Sequence, residues 1–181
     1  LELGGNGAVV VANDADISFA AARCVRGGVV YGGQYCIGVQ RIFVEEGVYD
    51  RFEAELVRRV AACKVGNPMD EGVDVGPVID EKSAIRIESW INDAVAAGAK
   101  ILTGGKRHRA VIEPTVLTDT NAAMKVESEE IFGPVMTLTR VANAVEGIAR
   151  ASQSRYGLQG GFFTNDMRAA FRALEDWDVG G

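Results

Sequence analysis

The stretch Val9–Ser18, VVVANDADIS, indicates the fold because it joins two kinds of secondary structure over a short distance. Its apolar run VVVA is ended by Asn13 and Asp14, as expected for a short buried strand. Asp14 or Asp16 can then cap a helix over residues 17–31. A strand that leads at once into a helix is the first half of a βαβ unit.

The rest of the sequence repeats this alternation. Apolar runs predict strands, and apolar residues that recur every three or four positions predict helices. The predicted strands lie at 41–44, 101–103, 115–117, 135–141 and 161–164, and the predicted helices at 48–63, 81–97, 144–152 and 167–176. Residues 65–80 carry glycine, proline and acids with neither period, which predicts an ordered loop. The pattern predicts one α/β domain over residues 1–181, with a mainly parallel sheet and helices on both faces.

The two ends of the sequence suggest a longer protein. The first residue is Leu1 rather than Met, and a strand is expected almost at once. A further strand is expected where the chain stops at Gly181. We therefore expect a truncated piece whose sheet lacks an edge.

The composition argues against several classes of function. The 181 residues carry a formal net charge of -6, whereas nucleic-acid surfaces need clustered Lys and Arg that outweigh the acids. The short basic run Lys106–Arg109 is predicted to be a solvated loop. No run approaches the roughly 18 apolar residues that a membrane span needs. Neither nucleic acid nor a membrane is an expected partner.

The cysteines and the histidine give no indication of a metal site. Cys24, Cys36 and Cys63 are odd in number and show no C-x-x-C spacing. Cys63 falls on the apolar face of the predicted helix 48–63, so a core position is expected. His108 is the only histidine and lies among charged residues with no second histidine or fixed acid at ligand spacing, so a histidine metal site and a Ser-His-Asp triad both have weak support. A cytoplasmic protein without a bound metal is the simplest expectation.

Glycine-rich segments offer no convincing nucleotide motif. Open parallel sheets bind ligands beyond the carboxyl ends of their strands, so the loops after the strands are the expected location of a site. Gly4–Gly7 precedes a strand, and TGGKRH at 103–108 lacks the residues of a phosphate-binding P-loop.

Cys36 lies in the segment Gly32–Ile37, GGQYCI, and has two possible roles. An unpaired cysteine is usually a small buried residue without reactivity. Alternatively, Gly32 and Gly33 permit a sharp turn that presents the Cys36 thiol and its N–H to a ligand. A nucleophilic thiol needs a base at neutral pH, and without a suitable histidine a carboxylate remains. Glu2, in the apolar and glycine-rich LELGG, lies where burial would make it an effective base.

Six segments in order give the sequence a family resemblance. They are LELGG, GGQYC, VGNPMDEGVDVGPVID, EPTVL, EEIFGPV and YGLQGGFFTND. The chain resembles the NAD(P)-dependent aldehyde dehydrogenase superfamily over nearly its whole length. The block YGGQYCIGVQRIFV is most similar to the branch that contains lactaldehyde and non-phosphorylating glyceraldehyde-3-phosphate dehydrogenases.

The resemblance implies two catalytic residues. Cys36 would attack an aldehyde and form a thiohemiacetal, which becomes a thioester when hydride passes to NAD or NADP. Glu2 would activate the water that hydrolyses the thioester to a carboxylate. The implied substrate is a small-molecule aldehyde.

The resemblance also implies a set of cofactor contacts. Glu130 and Phe132 would contact the nicotinamide ribose and ring region, and Leu3 with Gly4 would lie where the backbone approaches the nicotinamide. From the residues alone, Glu130 is equally an acid near a helix start, as are its neighbours, and Phe132 is equally a core residue.

The sequence also departs from the family pattern. Asn6 replaces a lysine, Gly7 replaces a small non-glycine residue, and Tyr31 stands where many relatives have asparagine. The family's coenzyme-binding domain and its C-terminal oligomerisation tail have no counterpart here, so we expect little dehydrogenase activity from this chain alone. The alternatives are a non-catalytic scaffold or interaction module and a residual thiol esterase. The sequence leaves open which aldehyde is used, and whether NAD or NADP; exposed apolar surfaces would favour a homo-oligomer.

Overall fold

The computed structural model describes residues 2–181, in which strands and helices alternate along the chain. The strands are β1 (Gly7–Val11), β2 (Val39–Glu45), β3 (Lys100–Thr103), β4 (Arg107–His108), β5 (Val111–Ile112), β6 (Thr115–Thr118), β7 (Val135–Val141) and β8 (Gly160–Phe163). The α-helices are α1 (Ile17–Val29), α2 (Glu46–Ala61), α3 (Glu81–Ala96), α4 (Lys125–Ser128), α5 (Ala144–Ser152) and α6 (Met167–Asp176). Every strand and helix that the sequence pattern predicts is present, with small shifts at the ends.

Six strands form one sheet in the order β3-β6-β7-β2-β1-β8. Only β3 runs antiparallel to its neighbour, and the other pairs are parallel. Parallel neighbours require crossover connections, which the intervening helices supply. The predicted α/β class with a mainly parallel sheet is confirmed.

Helices cover both faces of the sheet, as the contacts of β1 show. Successive residues of a strand point to opposite faces. Val9 and Val11 pack in one core with Phe52 of α2. Ala8 and Val10 pack in a second core that includes residues of α5 and the segment after α6. None of the helices in residues 2–181 is both long enough and apolar enough to cross a membrane.

The two predicted caps of α1 have different roles. Asp16 is the cap, since its Oδ1 accepts a hydrogen bond from the N–H of Phe19 at 3.0 Å. Asp14 instead accepts a hydrogen bond from Thr164 Oγ1 at 2.9 Å and from the N–H of Asn165 at 2.9 Å. Asp14 therefore joins the loop after β1 to the loop after β8.

The prediction of a solvated loop at Lys106–Arg109 is wrong. Arg107 and His108 form β4, which pairs with β5 in a short hairpin. Arg107 Nε donates a hydrogen bond to Glu88 of α3 at 2.6 Å, so the hairpin is fastened to that helix. A basic run is typical of a solvated loop, and a strand of two residues is too short to show an alternating pattern that would indicate otherwise.

Candidate active site

Three segments that the sequence singled out lead into three adjacent strands. Gly4 and Gly5 precede β1, Cys36 precedes β2, and Glu130 with Phe132 precedes β7. These strands are neighbours in the order β7-β2-β1 and run parallel, so their amino ends meet at one edge of the sheet. The general expectation of a site at the carboxyl ends is therefore wrong for these residues, which come together at the opposite edge.

Cys36 lies in a tight turn rather than in the core. The N–H of Gly38 donates to the carbonyl of Tyr35 at 3.1 Å, which puts Cys36 and Ile37 in the middle of the turn. The Cys36 side chain is half-buried, and its N–H donates no hydrogen bond to any residue in 2–181. Cys24, by contrast, is fully buried on α1, and burial raises the pKa of its thiol to about 12. The inert-core interpretation fits Cys24 and not Cys36.

The preceding glycines have conformations and contacts that a side chain would disturb. Gly32 and Gly33 have φ of 64° and 70°, in the left-handed region that favours glycine. A Cβ on Gly33 would lie 2.2 Å from the carbonyl carbon of Gly133, so the two backbones are in direct contact. The Cys36 segment and the EEIFGP segment therefore pack together without side chains between them.

Gly5 joins the three segments at a single point. Its N–H donates to Oε1 of Glu130 at 2.7 Å. A Cβ on Gly5 would lie only 1.8 Å from the carbonyl oxygen of Cys36, so no larger residue fits. Gly4 lies beside the same carboxylate, because a Cβ there would be 3.0 Å from Glu130 Oε2. The backbone of LELGG thus lies between the Cys36 turn and the Glu130 side chain.

The other predicted residues of the site are exposed at this edge. Leu3 is 56 % exposed, and Phe132 is 40 % exposed with a φ of 50°. Phe132 is therefore not a core residue, and Glu130 does not begin a helix, because it follows the end of α4. Glu2 is also exposed, so the expected burial of this carboxylate is wrong. Its side chain forms no hydrogen bond with the other described residues.

A buried polar network supports the LELGG segment. Asn6 Nδ2 donates to the carbonyl of Glu127 at 2.7 Å. Arg41 of β2, only 4 % exposed, donates through Nε to Asn6 Oδ1 at 2.9 Å and through Nη2 to the carbonyls of Asn6 and Ala151 at 3.1 and 3.0 Å. Burial lowers the pKa of the Arg41 guanidinium, and the nearby Glu127 carboxylate opposes that effect. Asn6, which looked from the sequence like a departure from the family pattern, is a central member of this network.

Two contributors to the site were not identified from the sequence. Gly5 was overlooked although it belongs to the same glycine pair as Gly4. Tyr156 accepts a hydrogen bond through its hydroxyl from the N–H of Glu130 at 3.4 Å and from Arg155 Nη2 at 2.9 Å. Tyr156 lies in the segment YGLQGG, which is part of the family resemblance. Its contact with Glu130 could not be predicted, because the two residues are 26 positions apart in the sequence.

The arrangement combines groups suited to a thiol reaction and to a sugar ligand. Acyl chemistry uses a nucleophile and a hydrogen-bond donor, and a thiol and an unpartnered N–H such as those of Cys36 are groups of these kinds. The Glu130 carboxylate can accept hydrogen bonds from vicinal hydroxyl groups, and the exposed Phe132 ring offers an apolar surface beside it. In residues 2–181 we find no cluster of three or more His, Cys, Asp or Glu residues that could hold a metal ion.

The chain is similar to known proteins over its whole length. The profile of the "Aldehyde dehydrogenase family" matches residues 1–181. The chain is 44 % identical over 181 residues to a 3-sulfolactaldehyde dehydrogenase of Priestia aryabhattai. The aligned region covers 100 % of this chain and 38 % of that protein. The chain therefore spans well under half the length of this relative.

Solved structures match equally well. Aldehyde dehydrogenase 21 from Physcomitrella patens, in complex with the reaction product succinate, superposes with a TM-score of 0.96 at 43 % identity, over 99 % of this chain and 38 % of that one. The NADP-dependent glyceraldehyde-3-phosphate dehydrogenase of Bacillus halodurans C-125, complexed with NADP, gives a TM-score of 0.95 at 41 % identity, over 100 % of this chain and 38 % of that one. The chain belongs to the aldehyde dehydrogenase family.

Proposed function

We propose that residues 1–181 are the catalytic, cysteine-bearing domain of an oxidoreductase that oxidises an aldehyde to a carboxylate with NAD or NADP. The observation that carries the proposal is the contact of Gly5 with both Cys36 and Glu130. This contact brings the segment that holds the base, the nucleophile and a cofactor ligand to one edge of the sheet. The coenzyme-binding domain and the oligomerisation tail of the family lie, in this proposal, outside these residues.

Cys36 begins the reaction as the nucleophile. Its thiolate attacks the carbonyl carbon of the aldehyde, and the carbonyl oxygen becomes an oxyanion. The unpartnered N–H of Cys36 is available to donate a hydrogen bond to that oxygen. Loss of hydride from the same carbon then leaves a thioester on Cys36.

Glu2 completes the cycle as the general base. It removes a proton from a water molecule, which attacks the thioester and releases the carboxylic acid and the Cys36 thiolate. An exposed carboxylate can reach water directly, and this suits the second half of the reaction. Because Glu2 is exposed, we assign it this role from its place in the LELGG segment, whose Gly5 contacts Cys36, and not from burial of its carboxylate.

The residues present fit the nicotinamide end of a dinucleotide. Gly4 leaves open the space in which a Cβ would meet Glu130 Oε2, so a ligand can approach the carboxylate and the backbone. Glu130 would hold the ribose hydroxyls, Phe132 and Leu3 would flank the ring, and bound NAD(P) would supply the hydride acceptor. The choice between NAD and NADP depends on contacts to the adenosine ribose, for which these residues offer no candidate.

The partners and the setting follow from the chemistry. The substrate is a small-molecule aldehyde. A nucleophilic thiol must be kept reduced, so a cytoplasmic location suits the proposal, and the three cysteines are free. Association into a homo-oligomer remains a prediction, motivated by exposed apolar side chains such as Phe171 and Leu174.

An ester substrate tests the proposal without the cofactor. p-Nitrophenyl acetate should transfer its acetyl group to Cys36 and release one equivalent of p-nitrophenolate in a burst, followed by slower turnover as water hydrolyses the thioester. Cys36→Ala should abolish the burst. Glu2→Gln should keep the burst and slow the turnover. A burst that survives in Cys36→Ala would contradict the proposal.

The dehydrogenase reaction itself gives a second expectation. The 181 residues alone should form little NADH or NADPH from aldehydes, because they provide contacts only for the nicotinamide end of the cofactor. Rapid aldehyde-dependent NADH formation by the purified chain would show that this view of the cofactor site is incomplete.

A further inference from the structure

Gln40 of β2 is a buried polar residue to which the proposed mechanism assigns no role. It is 5 % exposed and lies four positions after Cys36. Burying a primary amide is costly unless its donors and acceptor are all satisfied. The partners of this side chain therefore indicate what it does.

All the hydrogen bonds of the Gln40 side chain go to one segment, residues 126–131. Its Nε2 donates to the carbonyl of Val126 at 2.9 Å and to the carbonyl of Glu129 at 2.7 Å. Its Oε1 accepts a hydrogen bond from the N–H of Ile131 at 3.1 Å. Both N–H groups of the amide are therefore used, and its oxygen accepts one hydrogen bond, so no polar atom of this side chain is left without a partner.

These hydrogen bonds bracket Glu130 in the chain. The carbonyl of Glu129 precedes Glu130, the N–H of Ile131 follows it, and both are held by the same amide of Gln40. The carbonyl of Ile131 is held in addition by Arg86 Nη2 at 2.6 Å. With both neighbouring peptides fixed, the direction in which the Glu130 side chain leaves the backbone is fixed as well.

The short helix α4 cannot hold this segment by itself. It has four residues, Lys125–Ser128, and an isolated helix of that length is unstable in water. The carbonyls near its end are satisfied by Gln40 instead of by further helical turns. The segment that carries Glu130 is thus anchored to β2, the strand that directly follows the Cys36 turn.

We propose that Gln40 is a positioning residue, which sets the Glu130 carboxylate relative to Cys36 by holding the peptides on both sides of Glu130. The proposal rests on the proposed function, in which Glu130 binds the nicotinamide ribose. Gln40 itself touches no reacting group. It fixes the nucleophile and the cofactor ligand to the same strand.

Amide exchange tests the anchoring without any ligand. In Gln40→Met, which has a similar volume and no amide, the exchange rate of the Ile131 N–H measured by NMR should rise about tenfold or more, because that group loses its acceptor. Thr137→Val is the matched control, since Thr137 Oγ1 is buried on β7 and donates to the Gln40 carbonyl at 3.4 Å. The control should leave Ile131 protected. Equal protection of Ile131 in Gln40→Met and the wild-type chain would overturn the proposal.

Binding of nicotinamide mononucleotide tests the consequence for the site. This probe carries the nicotinamide and its ribose without the adenosine. Gln40→Met should weaken its binding by about tenfold, because displacements on the order of 1 Å are enough to misalign a positioned group. Glu130→Gln should weaken it as well, and the double variant should be no weaker than the poorer single variant.

These experiments distinguish the positioning role of Gln40 from the proposed ribose-binding role of Glu130. Effects of Gln40→Met and Glu130→Gln that add in full would overturn positioning, because Gln40 would then act independently of Glu130. A wild-type chain that does not bind the probe, or a Glu130→Gln variant that binds it normally, would overturn the assigned role of Glu130. Amide exchange at Ile131 would still decide the anchoring role of Gln40 in that case.

Discussion

Replacing Gly5 by alanine should disable the site while leaving the fold largely intact. The added Cβ would lie 1.8 Å from the carbonyl oxygen of Cys36 and 3.0 Å from its carbonyl carbon. Ordinary contacts begin near 3.4 Å, so the two segments must separate by more than about 1 Å. The obstructing atoms belong to the backbone of the Cys36 turn and cannot move aside by a change of rotamer.

The separation acts on reactivity more than on stability. Misplacement of a reacting group by about 1 Å can lower a rate about 100-fold, and Gly5→Ala should lower the acetylation rate of Cys36 by that order. Overpacking costs about 1 to 3 kcal/mol, which corresponds to a fall in Tm of roughly 2 to 12 °C for a chain of this size. The acetylation rate is read from the p-nitrophenolate burst, and Tm from circular dichroism.

Two control variants separate displacement from general loss of stability. Ile91→Val removes one methyl group from the buried face of α3 and should cost about 1 kcal/mol with little effect on acetylation. Gly66→Ala adds a Cβ that meets only the side chain of Val73, at 3.2 and 4.0 Å, and this variant should be acetylated at the normal rate. A Gly5→Ala variant that acetylates as fast as these controls would refute the argument from the contact.

Three further predictions concern stability. Asn6→Ala should lower the free energy of unfolding by about 1 to 3 kcal/mol, because it leaves the buried Nε of Arg41 without an acceptor; a loss below about 0.5 kcal/mol in urea unfolding would contradict the role of the network. Asp16→Ala should cost about 1 kcal/mol through loss of the α1 cap, and an unchanged urea midpoint would count against that cap. The pKa of Cys24 is raised from 9.0 to about 12, so its contribution is fully present below pH 9 and falls by up to about 1.4 kcal/mol per pH unit as the unfolded thiol ionises between pH 9 and 12. Urea unfolding at pH 8 and pH 10 should show a smaller decline for Cys24→Ala than for the wild-type chain, and equal declines would be inconsistent with this assignment.

The regular elements were predictable because their patterns are local. Val48, Phe52, Leu56 and Val60 recur every four residues, and all four are buried along α2. The 135–141 strand was predicted with its observed ends, since a run of that length has few alternatives. The hairpin of β4 and β5 and the four-residue α4 escaped prediction, because two to four residues are too few to show a period.

The residues of the site could be predicted, but their arrangement in the fold could not. The resemblance selected Cys36, Glu2, Glu130 and Phe132, but the sequence alone could not tell at which edge of the sheet they meet. That edge depends on the strand order, which is set by packing between distant segments. The contact of Gly5 with Cys36 is invisible for the same reason. The burial expected for Glu2 from its apolar neighbours was also wrong, because an adjacent leucine does not determine which way the glutamate side chain faces.

The rest of the polar framework depends on tertiary contacts as well. A glutamine on a strand is usually taken as a solvent-facing residue, yet Gln40 is buried and satisfied by backbone groups 86 to 91 positions away. Arg41 is likewise buried through partners on two other segments. Such residues can be recognised only when their partners in the folded chain are known.

The reactivity of Cys36 tests the central claim most directly. Iodoacetamide is added to the folded chain at pH 7, and the modification of each cysteine is followed by peptide mass spectrometry, with glutathione in the same solution as the reference thiol. The account predicts that Cys36 reacts faster than Cys63, because burial and the nearby Asp74 raise the pKa of Cys63, and that the fully buried Cys24 stays unmodified while glutathione reacts. Modification of Cys36 no faster than that of Cys63 would contradict the claim that Cys36 is the accessible nucleophile of this site.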